Sequence, residues 1–228
     1  MEKYAYLTLG LVLTCLVIVL ILVRKDLVRL SIKLGVVGGV AGLLSELFYF
    51  RDYWRPPTTV GIAKVSPEDF IFGFAITACS VIIYPVITRQ RFGLYDGPNK
   101  IKTYLLFFTG GILSLLTFNL GLGINSIFVS SVLFLTFAVM IVYLRPDLLL
   151  PALLSAVVLT GLIVVTYMVL FNSLFPEFWD KYWLLVNSKW GTMIFGNVPV
   201  TEMLWYFSWI LFASVSYPFV SGKKFIKQ

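Results

Sequence analysis

An all-α integral membrane protein with seven transmembrane helices is the fold class this sequence predicts, and three observations predict it. The 228 residues have a mean hydropathy of +0.93, with 59% hydrophobic and only 13% charged residues, where a soluble domain carries roughly 25% charged residues. The apolar residues fall in runs of about twenty, enough to cross about 30 Å of hydrocarbon at about 1.5 Å per residue. Most Lys and Arg gather in the gaps between those runs.

The uncharged stretches read, in order, as about 4–23, 27–50, 70–88, 102–121, 124–144, 148–173 and 203–222. The first is followed by Arg24-Lys25-Asp26 rather than by a small-residue cleavage site, so it reads as a retained helix and not a signal peptide. In the second, Arg29 and Lys33 occupy the first turns, where long basic side chains reach the headgroups. Twelve Lys and Arg, from Arg24 to Lys227, collect on one side of the membrane and six, from Lys3 to Lys189, on the other. The positive-inside bias puts the N-terminus outside and the C-terminus inside. The net charge of +7 and pI near 9.4 therefore read as a topology signal, and no nucleic-acid partner is expected. Of the acidic residues only Asp26, Asp96 and Asp147 fall on the cytoplasmic side.

The chain also resembles itself. Arg24-Lys25-Asp26-Leu27 is echoed by Arg145-Pro146-Asp147-Leu148, Tyr53-Trp54 by Tyr182-Trp183, and Tyr84-Pro85 by Tyr217-Pro218, at offsets of 121, 129 and 133. The preserved order predicts two parallel three-helix repeats within a single membrane domain, 1–228. Repeat one covers 1–100 (helices 4–23, 27–50 and 70–88), a linking helix 102–121, and repeat two 122–228 (helices 124–144, 148–173 and 203–222). Repeat interfaces are common sites of binding in such bundles.

Several chemistries are not expected. The chain has no His, and Cys15 and Cys79 sit in separate apolar runs, so neither a metal site nor a disulfide is anticipated. No Gly-x-Gly-x-x-Gly occurs and the last span has no Lys, so no dinucleotide, retinal or other cofactor is expected. Gly35, Gly38, Gly39 and Gly42 recur at four-residue spacing, the pattern of a close helix-packing face. Asn119, Asn125 and Asn172 read as residues that satisfy loop backbone, and most of Tyr53, Trp54, Trp179, Tyr182, Trp183 and Trp190 as the interfacial aromatic belt.

The candidate chemistry lies in carboxylates at the outer ends of helices, because an ionisable group in a span is costly unless it is paired or faces a cavity. Glu46 lies about one turn inside the second span, Ser66-Pro67-Glu68-Asp69-Phe70 opens the third, and Pro199-Val200-Thr201-Glu202 opens the seventh. Helix capping explains Glu68 as well as a site does; Asp69 and Glu202 occupy equivalent positions in the two repeats and read as a site. Trp205, Tyr206 and Trp209 share a helix face with Glu202, and Phe72 one with Asp69. Carboxyl groups can give and take protons, and aromatic faces stabilise cations.

These motifs, Ser66-Pro67-Glu68-Asp69-Phe70 and Pro199-Val200-Thr201-Glu202 with Tyr84 and Tyr217 closing each helix, resemble the heterodimeric-type or fused two-repeat lycopene cyclase domain family. The resemblance implies an isomerase (an intramolecular lyase) of carotenoid biosynthesis. It would cyclise the ends of a linear polyene, with Glu202, Asp69, Glu68 and Glu46 as candidate catalytic carboxyls and Trp205, Tyr206, Phe72 and Trp209 lining the substrate. The expected partners are a lipid-soluble polyene or prenyl substrate and the lipids of the cell membrane, which the chain crosses several times. A non-catalytic carotenoid or prenyl-lipid binding or transport protein is the alternative reading, with the oligomeric state open.

Overall fold

The computed structural model describes residues 2–227; Met1 and Gln228, the ends of the domain expected over 1–228, lie outside the described residues. In chain order the elements are α1 (Ala5–Val23), α2 (Val28–Asp52), α3 (Pro67–Ile87), β1 (Gln90–Leu94), α4 (Ile101–Leu115), α5 (Ser126–Leu144), α6 (Leu149–Val169), α7 (Phe178–Tyr182), β2 (Met193–Ile194), β3 (Val198–Pro199), α8 (Val200–Ser221) and β4 (Lys223–Lys227). Among the described residues, seven helices are long and apolar enough to cross a membrane: all of these except the short α7. In hydrocarbon only a helix or a closed barrel can satisfy every backbone donor and acceptor, so β-branched runs such as Leu16-Val17-Ile18-Val19 fold as helix despite their strand preference.

The helix starts differ from the uncharged runs. α3 begins at Pro67 and α8 at Val200, a turn earlier than the sequence limits of 70 and 203. Acidic residues favour the first turn of a helix, where the peptide dipole is positive, so counting uncharged stretches trims that turn away. At their far ends α4 and α6 each pass into a π-helical turn, Leu116–Gly121 and Leu170–Leu174. The asparagines there act on loop backbone, as expected. Asn119 Nδ2 donates to the Ile124 carbonyl at 2.8 Å, Asn125 caps α5 by accepting from the Ile127 N–H at 3.1 Å, and Asn172 Nδ2 donates to the Phe195 carbonyl at 2.8 Å.

The chain forms two compact units, each drawn from both halves of the sequence: Met1–Cys79 with Thr160–Leu204, and Ser80–Leu159 with Trp205–Gln228. In the first unit, α2 presents its glycines to α3. A methyl group on Gly35 or Gly39 would strike the rings of Phe74 or Phe70, and one on Gly38 would meet the Gly73 carbonyl at 2.6 Å. The missing side chains let two backbones approach, which replaces the hydrophobic drive that helices lack in lipid.

The second unit carries an element that the sequence did not suggest, an antiparallel ribbon of β1 and β4 with Phe92 opposite Phe225. Strand pairing between segments this far apart leaves no mark in local periodicity. Gly222, at φ +61°, turns α8 directly into β4. The buried Arg145 holds the ribbon. Its guanidinium donates to Asp147 at 2.7 and 2.6 Å and to the Lys223 carbonyl at 2.9 Å, and lies 3.4 Å from the centre of the Tyr95 ring. Its first-unit counterpart in the sequence, Arg24, grips Asp26 in the same fashion at 2.8 and 2.7 Å, and that hydrogen bond holds its guanidinium pKa above the ordinary value. Replacing Arg145 by Gln leaves the Lys223 carbonyl without its charged donor. The expected cost is about 1–3 kcal/mol, read as faster proteolytic loss of a C-terminal tag from the purified protein.

Candidate active site

The four candidate carboxyls all belong to the first unit. Glu202 lies in the first turn of α8, just after β3, whose pairing with β2 fixes the approach of the chain. Its side chain is buried, at 6% exposure, and both oxygens are engaged. Oε1 accepts the Tyr53 hydroxyl at 2.6 Å and Oε2 the Tyr167 hydroxyl at 2.8 Å. The Tyr53 hydroxyl also lies 3.1 Å from Thr201 Oγ1. Tyr53 follows the last residue of α2 and Tyr167 is near the end of α6, so three helices converge on one carboxyl.

Glu46, on the last turns of α2, is 5% exposed and its Oε1 accepts the Trp54 indole N–H at 3.2 Å. Consecutive residues thus serve different carboxyls: Tyr53 holds Glu202 and Trp54 holds Glu46. Backbone pairing fixes that dipeptide. Trp54 bridges Trp183, the Arg55 N–H donates to the Tyr182 carbonyl at 2.9 Å, and the Leu184 N–H to the Tyr53 carbonyl at 2.9 Å. The two Tyr-Trp pairs that echo each other in the sequence therefore lie side by side.

Asp69 caps its own helix, with Oδ2 accepting the Ser66 N–H at 2.6 Å and the Ser66 hydroxyl at 2.9 Å, a side chain satisfying donors that a helix start leaves over. Glu46 and Glu202 are tied together through the consecutive residues Trp54 and Tyr53, and the Asp69 backbone packs against Gly42, one turn from Glu46 on α2, so the three carboxyl-bearing residues share one neighbourhood. Glu68 does different work. Its Oε1 accepts the Thr59 N–H at 2.6 Å and so anchors the turn that Thr58 and Gly61 close with mutual backbone bonds of 2.9 and 3.0 Å.

Aromatic rings wall this neighbourhood. Trp54 stands 4.7 Å from Tyr6 and stacks on Trp179 at 6.4 Å; Trp179 in turn stacks on Tyr167 at 5.8 Å. Phe72 borders the group through Tyr6, at 5.8 Å. Of the six rings expected mostly in the interfacial belt, four are buried instead: Tyr53, Trp54, Trp179 and Trp183 are 2%, 7%, 1% and 2% exposed. Trp190 remains exposed, as a belt residue would. Burial wins because the segments after α2 and α6 fold back and pair instead of running along the headgroups.

Trp205, Tyr206 and Trp209 lie in the second unit. There Trp205 and Trp209 stack at 6.0 Å, Phe134 of α5 meets Trp209 at 4.9 Å, and Tyr206 is fully buried with its ring 5.4 Å from Trp205. Sequence reasoning missed Tyr53, Trp54 and Tyr167 as partners of the carboxyls. Tyr167 had left a signal, a hydroxyl inside an apolar run where it must find a partner. Tyr167→Phe strips the donor from Glu202 Oε2, with an expected loss of about 1–3 kcal/mol, measured as a lower unfolding temperature in detergent.

Residues 125–220 match the family model described as lycopene cyclase. The matched segment includes Tyr167, Glu202, Trp205, Tyr206 and Trp209, while Glu46, Tyr53, Glu68, Asp69 and Phe72 precede it. No curated protein and no solved structure gave a match.

Proposed function

We propose, from the match of residues 125–220 to the lycopene cyclase family model, that the chain is a membrane-embedded carotenoid cyclase that closes rings at the ends of a linear polyene such as lycopene. Support comes chiefly from a buried carboxyl, Glu202, held on both oxygens by tyrosine hydroxyls and linked through the Tyr53-Trp54 dipeptide to a second buried carboxyl, Glu46.

The chemistry needs one acid and one base. A carboxylic acid gives its proton to the terminal double bond, leaving a tertiary carbocation. The next suitably placed double bond attacks that cation, which forms the ring carbon–carbon bond and moves the positive charge onto a ring carbon. A carboxylate then removes a proton from a neighbouring carbon, whose C–H electrons become the ring double bond. One proton enters and one leaves, so the product is an isomer and no electrons pass to a cofactor.

Hydrogen bonding supports a division of roles. Two hydroxyl donors suit Glu202 to the ionised base. Glu46 receives a single indole donor and has its second oxygen available to deliver a proton, with Asp69 as the neighbouring carboxyl able to exchange with it. The rings of Trp54, Trp179 and Tyr6 supply electron-rich faces for the passing cation, and Phe72 extends the apolar wall. Trp205, Tyr206 and Trp209, rings of the second unit, are proposed as polyene-binding on the strength of the family match alone. The substrate arrives from the membrane, where both it and the helices are dissolved.

Expression in a lycopene-accumulating host tests the reading. Cyclised carotenoids should replace part of the lycopene, as chromatography of the extracted pigments would show; unchanged lycopene beside folded protein would refute it. Within that assay Tyr53→Phe should lower the rate about tenfold, since Glu202 loses one of its two orienting donors at a cost of about 1.4 kcal/mol in the transition state.

A further inference from the structure

The charge of the chain is distributed unequally. Of the net +7, the second unit holds +6, with eight Lys and Arg against only Asp96 and Asp147. Asp147 is engaged by Arg145. Most of the uncompensated charge lies on or beside the β1–β4 ribbon. Strand residues alternate between faces, so Gln90, Phe92, Leu94, Lys223, Phe225 and Lys227 share one face and Arg91, Gly93, Lys224 and Ile226 the other. The middle of the first face is covered, where Phe225 meets Tyr84 at 4.7 Å and Phe92 meets Tyr217 at 5.1 Å, while Leu94 and Lys227 at its ends are exposed. On the second face Ile226 lies over Gly93, where a methyl group would meet it at 2.7 Å, and Arg91 is exposed. Lys223 and Lys227 stand at the two ends of β4.

Among the described residues Arg91, Lys223 and Lys227 take part in no ion pair, and Lys224 has only Asp96, at 3.2 Å. Leu94, at the tip of β1, is 74% exposed. Arg145 pins the ribbon through the Lys223 carbonyl, so these cations project from a fixed ladder and not from a loose tail.

We propose that this ribbon is a docking surface for anionic phospholipid headgroups, with Arg91 and Lys224 of the open face and Lys227 at the exposed end of β4 contacting phosphates and Ile226, between Arg91 and Lys224, resting against the acyl boundary. Charge complementarity carries the assignment. A rigid row of cations directly continuous with two membrane-spanning helices meets headgroup phosphates without leaving the bilayer, and basic sites at that level bind anionic lipid. The proposal is independent of the carboxyl site in the first unit.

The test uses the purified full-length chain titrated with phosphatidylglycerol and, separately, phosphatidylcholine, with bound lipids counted by native mass spectrometry. Wild type should retain phosphatidylglycerol preferentially, and increasingly so at low salt. The triple variant Arg91→Gln, Lys224→Gln, Lys227→Gln should bind it about a hundredfold more weakly, at about fivefold per cation. A control of equal charge change, Lys3→Gln, Lys64→Gln, Lys189→Gln, should bind as wild type does. Equal losses in the two triples would show a nonspecific charge effect and overturn the proposal, as would no loss in either. Should the ribbon triple fail to fold, the wild-type preference and its salt dependence decide: equal affinity for the two lipids overturns the assignment.

Discussion

Glu202→Gln should abolish ring formation in a lycopene-accumulating host while the protein remains folded. The amide has the size of the carboxyl, and its oxygen still accepts one of the two tyrosine hydroxyls that now bond Oε1 and Oε2. What disappears is the capacity to take a proton. Positioned acid or base groups contribute about 10²–10⁴-fold to rate, so cyclised product should fall at least a hundredfold, below detection in most pigment extracts. The purified variant should keep an unfolding temperature close to that of wild type. Glu68→Ala supplies the contrast: the carboxyl it removes secures the Thr59 N–H and the turn beside it, so ring formation should persist while stability falls by about 1–3 kcal/mol. Full activity in Glu202→Gln would remove Glu202 from the mechanism and shift the base to Asp69 or Glu46.

Gly42→Leu should be the most damaging single change to the fold. A side chain at Gly42 points at the backbone of α3, where even its first carbon would come within 3.3 Å of the Gly73 Cα and closer still to the Asp69 carbonyl. Neither neighbour is a flexible side chain that can swing away, so the helices must separate. Overpacking of this kind costs about 3 kcal/mol at the upper end of its usual range. The site should fail with it, because Glu46 lies one turn beyond Gly42 on α2 and Asp69 supplies the very carbonyl that α2 would be pushed from. Thermal unfolding in detergent and pigment analysis together check this: stability and ring formation should drop in parallel. Gly110→Ala and Gly161→Ala, where an added methyl meets nothing within 4 Å, should be tolerated or slightly stabilising, since Ala is the better helix former by about 1 kcal/mol.

The aromatic residues show where sequence reasoning stops. Trp54 and Trp190 look alike in the sequence, each a tryptophan in a polar stretch outside an apolar run, and the belt explains both. Only the fold separates them, because the chain after α2 pairs with the chain after α6 and draws Trp54 inward while Trp190 stays out. The same pairing decides that Tyr53 reaches Glu202, a residue 149 positions away. The carboxyls themselves were legible, since four acidic residues at the ends of apolar runs stand out against their surroundings. Their donors were not, because a tyrosine or tryptophan near a membrane surface has an ordinary reason to be there.

By itself the sequence determined the number of spans, their approximate limits and the glycine face of α2, because hydrocarbon thickness and backbone satisfaction are constraints that each segment must meet alone. The tertiary structure decided which side chains meet. The β1–β4 ribbon, the Tyr53 and Tyr167 clamp on Glu202 and the burial of Trp54 and Trp179 all join residues from distant parts of the chain, and such contacts depend on how helices pack rather than on any local pattern of residues.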